Sequence, residues 1–108
     1  MNWIDLHDLS QLENLKEQSF TKTQIIYKHS TTCGISKMVY ARLTNAKEVL
    51  NADFYYLNLL SHRNISNAVA ETFGVQHESQ QVLAIKNGVC IFNESHTAIR
   101  LHDIIEHT

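Results

Sequence analysis

The chain of 108 residues contains no proline and only three glycines. Without proline, no residue has its φ pinned near −65° and no X–Pro bond is available to adopt the cis form. Cysteine is scarce as well, with Cys33 and Cys90 the whole complement. Two cysteines without an export signal argue for a reducing compartment, the cytoplasm, and against a disulfide scaffold. The opening stretch "MNWIDLHDLSQLENLKEQ" has no basic segment followed by an apolar one, so no signal peptide is expected. No apolar run approaches the ~20 residues needed to span a bilayer, and no membrane partner is expected. An excess of positive charge is also missing. Lys and Arg number 9 against 11 Asp and Glu, a net charge of −2, and the basic residues are scattered, which leaves no electrostatic footprint for nucleic acid.

What is present fits one globular domain spanning residues 1–108, with 44% hydrophobic and 19% charged residues. Asp8 to Ser19 reads as a short helix, with Ser10 and Glu13 in a capping-box pattern and Leu9, Leu12 and Leu15 on one face. "QIIYKH", 24–29, reads as a strand. From Ile35 to Leu50 the positions Ile35, Met38, Val39, Leu43, Ala46, Val49 and Leu50 follow the helical period and predict one buried stripe. "FYYLNLL", 54–60, has the apolar density of a central strand covered on both faces. Ile65, Ala68, Val69 and Phe73 give a third helix stopped by Gly74. "VLAIK", Asn87-Gly88 and "VCIF" form a hairpin around a type I′ turn. Ser95 or Thr97 caps a last helix that turns Ala98, Leu101 and Ile105 inward. The expected order is α-β-α-β-α-β-β-α, a four-stranded mixed sheet in which the first two strands are parallel, the hairpin is antiparallel and helices cover both faces.

Cys33 falls in "HSTTCGIS", after the first expected strand and directly before the long helix. Free backbone N–H groups and the positive end of the helix dipole meet there, and such sites lower a cysteine pKa from ~8.5 into the range of roughly 3.5–7.5. Ser36, three residues on, can offer a hydroxyl to the sulfur but cannot form a disulfide. The chemistry this permits is attack on another disulfide, with a second molecule resolving the product. The plain alternative is an inert residue at a helix start. Cys90 reads as a small hydrophobe within its strand; a Cys33–Cys90 disulfide stays open at this level.

The element order together with "TCGIS" resembles a thioredoxin-fold protein, and more closely the monothiol bacilliredoxins of the bacillithiol system, whose motif is usually T-C-P-I-S. "HRNISNAVAETFGVQHES", "QVLAIKNG" and "ESH" fit the same family pattern. The resemblance runs from about Leu9 to Ile105. It implies removal of bacillithiol from S-bacillithiolated client proteins. Cys33 would attack the mixed disulfide and hold the bacillithiol until another low-molecular-weight thiol removes it. No tightly bound cofactor is implied; bacillithiol is the co-substrate. Two positions depart from the pattern. Gly34 stands where the family has proline after the cysteine, and Gln80 replaces the proline of H-E-S-P-Q. A non-proline cis bond costs ~2.5–4 kcal/mol, so a trans Ser79–Gln80 peptide is expected.

The resemblance places Thr32, Gly34, Ser79 and Gln80 around the thiol as substrate-binding positions beside the catalytic pair Cys33 and Ser36. Bacillithiol carries a malate group with two carboxylates. Arg63 can pair with one of them through two parallel hydrogen bonds, Asn67 shares its helix face, and His29, His77 or His96 can assist. The plain alternatives are a solvated or helix-capping Arg63 and structural histidines. No metal site is expected, since no C-x-x-C or H-x-x-x-H pair exists and His102 and His107 fall on different helix faces. Tyr55 and Tyr56 read as core. The competing functions are a thioredoxin-fold interaction or redox-sensing domain with weak or no catalysis, and a glutaredoxin-like protein using another small thiol.

Overall fold

The computed structural model describes residues 2–32, 34–45, 51–78 and 80–108. Cys33 and Ser79 lie outside the described residues, as do 46–50 at the end of the long expected helix. Among the described residues the chain forms β1 (Trp3–Asp5), α1 (Ser10–Gln18), β2 (Thr23–His29), α2 (Gly34–Thr44), β3 (Ala52–Asn58), α3 (Arg63–Phe73), β4 (Gln81–Lys86), β5 (Val89–Ser95), a 3-10 turn (His96–Ala98) and α4 (Leu101–Glu106).

The strands join in one sheet of order β1-β3-β2-β4-β5. It has five strands where four were expected, and the addition is β1. That strand has only three residues with one partly buried, so it carries too little alternation to be read alone; its pairing with β3 creates it. β2 and β3 are parallel with Ile26 opposite Tyr55, as the crossover through α2 requires. β4 runs antiparallel to β2 and to β5. Asn87 and Gly88 turn the hairpin with φ of 54° and 79°. A Cβ at Gly88 would lie 3.0 Å from Phe20 Cζ besides adopting that φ. Gly88→Ala is therefore expected to cost about 1–2 kcal/mol in urea unfolding, with no change in the slope of the transition.

Helices pack on both faces and divide the core into two layers. One side gathers Leu12 and Leu15 of α1 with Ile65 and Val69 of α3 over Ile26, Leu57, Leu83 and Ile85. The other gathers Val39 and Leu43 of α2 with Ile104 of α4 over Ile25, Tyr27, Val82 and Ala84. Neighbouring residues of β2 serve opposite layers because strand side chains alternate. Gly74, with φ 63°, ends α3 as expected.

Several local expectations are corrected. The N-terminal turn of α1 is capped by Asp8, whose carboxylate accepts the Ser10 N–H at 2.9 Å, and not by a Ser10–Glu13 box. Leu9 is exposed. In α2 the buried stripe is Ser36, Val39 and Leu43, whereas Ile35 and Met38 are 47% and 50% exposed. Both assignments follow the helical period; the buried Ser36, held by hydrogen bonds, decides which of the two apolar stripes faces the sheet. At the C-terminus neither Ser95 nor a capping side chain at Arg100 starts the last helix, and Ile99 and Ile104 go inward instead of Ala98 and Ile105. The 3-10 turn accounts for this phase change, since its three-residue repeat interrupts the 3.6-residue one. No helix among the described residues is long and apolar enough to cross a membrane.

Candidate active site

The site grows from the C-terminal end of β2, where Tyr27, Lys28 and His29 end a fully buried strand. Tyr27 and His29 point to the α2 layer and Lys28 to the α3 layer. The chain then passes through Ser30–Thr32 and Cys33 into α2, which begins at Gly34. The expected strand-loop-helix placement of the cysteine therefore stands in the elements on either side of it. A Cβ at Gly34 would meet nothing within 4 Å, so no close approach demands glycine there.

On the α2 side lies a buried polar network. Ser36 Oγ accepts the Ser30 N–H at 3.1 Å and lies 2.9 Å from His29 Nδ1 and 3.4 Å from the Tyr27 hydroxyl. Tyr27 donates its own proton to the Ser36 carbonyl at 3.2 Å. Ser36 is thus bound to the strand through its hydroxyl. A sequence reading sees that hydroxyl only as a neighbour of the sulfur. The His29 ring packs among Tyr27, Tyr40 and Tyr56, with Trp3 completing the aromatic group. Burial, aided by the charge of Lys37, lowers the His29 pKa and favours a neutral imidazole.

On the α3 side sits Lys28, 0% exposed. Its ammonium donates to the Ser66 carbonyl and to His77 Nδ1, each at 3.2 Å, and Ser66 Oγ lies 3.1 Å from the same nitrogen. An ammonium only donates, so His77 Nδ1 accepts and the neutral ring carries its proton on Nε2. Desolvation brings the Lys28 pKa from 10.5 down to about 8. Burial first, then Lys28 and Arg63, lower that of His77, with Glu78 opposing. Lys28 escaped notice in the sequence, although it is the single charge in "TQIIYKH".

The remaining expected positions divide into two groups. Thr32, Arg63 and Asn67 are exposed, the last two four residues apart on α3, and the Arg63 guanidinium makes no hydrogen bond or ion pair with another described residue. His77 is half-buried beside Lys28. His96 is exposed and its Nε2 lies 3.4 Å from the Glu78 carboxylate. Gln80 is 1% exposed with φ 70°, and both atoms of its amide are buried without a hydrogen-bond partner among the described residues. The Ser79–Gln80 peptide falls partly outside the described residues. Cys90 is a free, half-buried thiol donating to the Phe92 carbonyl at 3.2 Å, and burial raises its pKa. It pairs with Ile85, which lies opposite Gln24, at the end of the sheet away from His29.

The whole fold matches solved structures. A proposed oxidoreductase with a thioredoxin fold superposes with a TM-score of 0.83 at 30% identity, covering 96% of this chain and 91% of the other. Reduced thioredoxin pre-protein from Schistosoma mansoni gives 0.75 at 22% identity over 98% and 97% of the two chains. Thioredoxin from Fasciola hepatica gives 0.76 at 17% over 96% and 98%. At those two lower identities the likeness concerns the fold. The model of the monothiol bacilliredoxin family BrxC matches residues 4–104, a span that takes in all but the first residue of β1, the Cys33 position and the His77–Gln80 segment. With its thioredoxin-like architecture and its cysteine between β2 and α2, the chain belongs to the monothiol bacilliredoxin BrxC family of thiol oxidoreductases.

Proposed function

We propose that the protein removes bacillithiol from S-bacillithiolated client proteins, with Cys33 as its one redox cysteine. The observation that carries the reading is the start of α2 at Gly34, directly after the cysteine, so that the helix N-terminus favours a thiolate at that position. The Cys33 thiolate attacks the bacillithiol sulfur of the mixed disulfide. A new S–S bond forms, the old one breaks, and the client leaves as its thiolate. A second small thiol then attacks the adduct and returns Cys33 to the thiolate. Cys90, half-buried at the far end of the sheet, supports a cycle without an internal resolving thiol.

Recognition of the malate carboxylates falls to the α3 side. Arg63 is an exposed guanidinium, and His77 is held by Lys28 with its Nε2–H free to donate. Thr32, Asn67 and His96 complete the polar surroundings.

The test offers one client protein in bacillithiolated and glutathionylated forms and follows the adduct by mass spectrometry. The expected result is transfer of bacillithiol to Cys33 and none in Cys33→Ser. Transfer of glutathione alone would instead support the glutaredoxin-like reading, and no transfer from either would support an interaction domain. Arg63→Ala is expected to slow transfer from the bacillithiolated client roughly tenfold, as loss of a charged hydrogen-bond partner implies. Reaction with a neutral disulfide should be unchanged, and equal loss for both would remove the binding role.

A further inference from the structure

We infer that the charge of Lys28 decides which hydrogen-bonding group His77 offers an anionic ligand, an N–H while Lys28 is an ammonium and a bare nitrogen once it is an amine. Lys28 is thereby a positioning residue that acts through His77. The inference rests on the reading that the α3 side receives the bacillithiol carboxylates, and adds to it what keeps His77 in its donating form.

Two described groups lie within hydrogen-bond distance of His77 Nδ1, the Lys28 ammonium at 3.2 Å and Ser66 Oγ at 3.1 Å. A hydroxyl donates or accepts, so Ser66 fits either tautomer and selects neither. An ammonium only donates. While Lys28 is charged, Nδ1 therefore keeps its lone pair and the ring proton sits on Nε2. Two of the three ammonium protons are then placed, on Nδ1 and on the Ser66 carbonyl. An amine has two N–H groups and one lone pair. With one N–H kept on the Ser66 carbonyl, the buried lone pair has Nδ1 as its neighbour, and a proton on Nδ1 satisfies it. The exchange balances within the pair. One N–H bond breaks at Lys28 Nζ, one forms at Nδ1, and the proton released to solvent is that of Nε2. Lys28 is 0% exposed, whereas the His77 ring is half-buried and its Nε2 has no described partner. The imidazole thus connects a buried amine with water, and the proton it gives up is the one that a carboxylate would accept.

The charged groups around the pair come from several elements. Burial, then Lys28 on β2 and Arg63 on α3, lower the His77 pKa. Glu78, in the segment before β4, opposes them, and its carboxylate lies 3.4 Å from His96 Nε2. Gln81, opposite Lys28 on β4, carries no charge. The lowering at His77 leaves the ring neutral at neutral pH and above, and burial places the loss of the Lys28 charge at about pH 8. The change is therefore between two tautomers of a neutral ring and not between imidazolium and imidazole.

The experiment reads the tautomer from the imidazole nitrogen shifts of His77 in the isotopically labelled full chain, with the signals assigned by their loss in His77→Gln. Near neutral pH the proton is expected on Nε2, and by about pH 9.5 on Nδ1. Lys28→Met is expected to abolish the exchange and leave shifts that do not move with pH. Ser66→Ala is expected to keep it, because the ammonium alone dictates the first tautomer. A proton on Nδ1 near neutral pH, or the same pH response in Lys28→Met as in the parent, would overturn the proposal. A kinetic measurement reads the consequence. The rate of transfer from the bacillithiolated client, divided by the rate with a neutral disulfide, cancels the ionisation of the attacking thiol. In the parent this ratio is expected to fall roughly fivefold across the same pH range, as loss of one hydrogen bond implies, and to be independent of pH in Lys28→Met. A ratio that Arg63→Ala lowers but that pH leaves unchanged, or changes equally in Lys28→Met, would overturn it as well. A ratio insensitive to both Arg63→Ala and pH, alongside the tautomer exchange, would remove the malate reading alone and leave Lys28 in control of His77.

Discussion

Lys28→Met is expected to raise the stability of the folded chain at pH 7 by about 2 kcal/mol. Lys28 is a fully buried cation with a carbonyl and an imidazole for partners and no carboxylate among the described residues. The fall of its pKa from 10.5 to about 8 is worth roughly 3 kcal/mol of disfavoured charge. Methionine fills a similar length without a charge, and loss of one donor to His77 Nδ1 and to the Ser66 carbonyl, which keeps its helical partner in α3, takes back about 1 kcal/mol. The sign has a pH signature. Because the folded pKa is the lower one, the penalty is complete below pH 8, where both states are protonated. Between pH 8 and 10.5 the unfolded chain binds the proton and the folded chain does not, so stability rises with pH. Urea unfolding of the parent should therefore show a gain from pH 7 to 9.5 that Lys28→Met lacks. Tyr55 and Tyr56, whose pKa values burial raises, act in the opposite direction above pH 10, which sets the upper end of the window. Parallel pH curves for parent and variant would show that Lys28 does not carry the buried charge. A residue retained at this stability cost fits a role in holding His77 as an Nε2–H donor beside Arg63.

Gln80→Gly is expected to stabilise the fold by about 2 kcal/mol, an unusual direction for a core truncation. The residue holds φ 70°, where a side chain costs about 1–2 kcal/mol, and buries an amide with neither atom bonded among the described residues. Glycine removes both penalties. Against it stand the lost burial of two methylenes, ~0.8 kcal/mol each, and about 0.5–1 kcal/mol of added chain entropy in the unfolded state. Gln80→Leu separates the two contributions, since it removes the unpaired amide and keeps the backbone conformation; a smaller gain is expected. The midpoints of urea unfolding for the three proteins decide it, and a loss of stability in both variants would show that the Gln80 amide is satisfied in solution. The position is where the family pattern has proline, whose ring fixes φ near −65°, so a φ of 70° here is a backbone that proline could not adopt.

Much of the architecture was legible because it is written in short-range periodicity and turn chemistry. Asn87-Gly88 dictates its hairpin, Gly74 its helix end, and the apolar runs of β2 and β3 their burial on both faces. Cys33 could be placed at a strand-helix junction for the same reason. β1 was not legible, since three residues acquire strand geometry only by pairing with Phe54–Tyr56. The choice between two apolar stripes on α2 was not legible either, because Ile35 and Met38 satisfy the helical period as well as Val39 and Leu43.

The site divides along the same line. Residue order alone establishes a solitary thiol before a helix, a serine one turn on, an absence of proline beside them and a histidine-rich chain. Which histidines meet which partners is decided by packing. His29 reaches Ser36 and His77 reaches Lys28 across 7 and 49 residues, because adjacent side chains of one buried strand must leave it on opposite faces. Protonation states follow from that burial. Local pattern can nominate a reactive cysteine, but the buried partners of His29 and His77 come together only when the sheet is closed between two layers of helices.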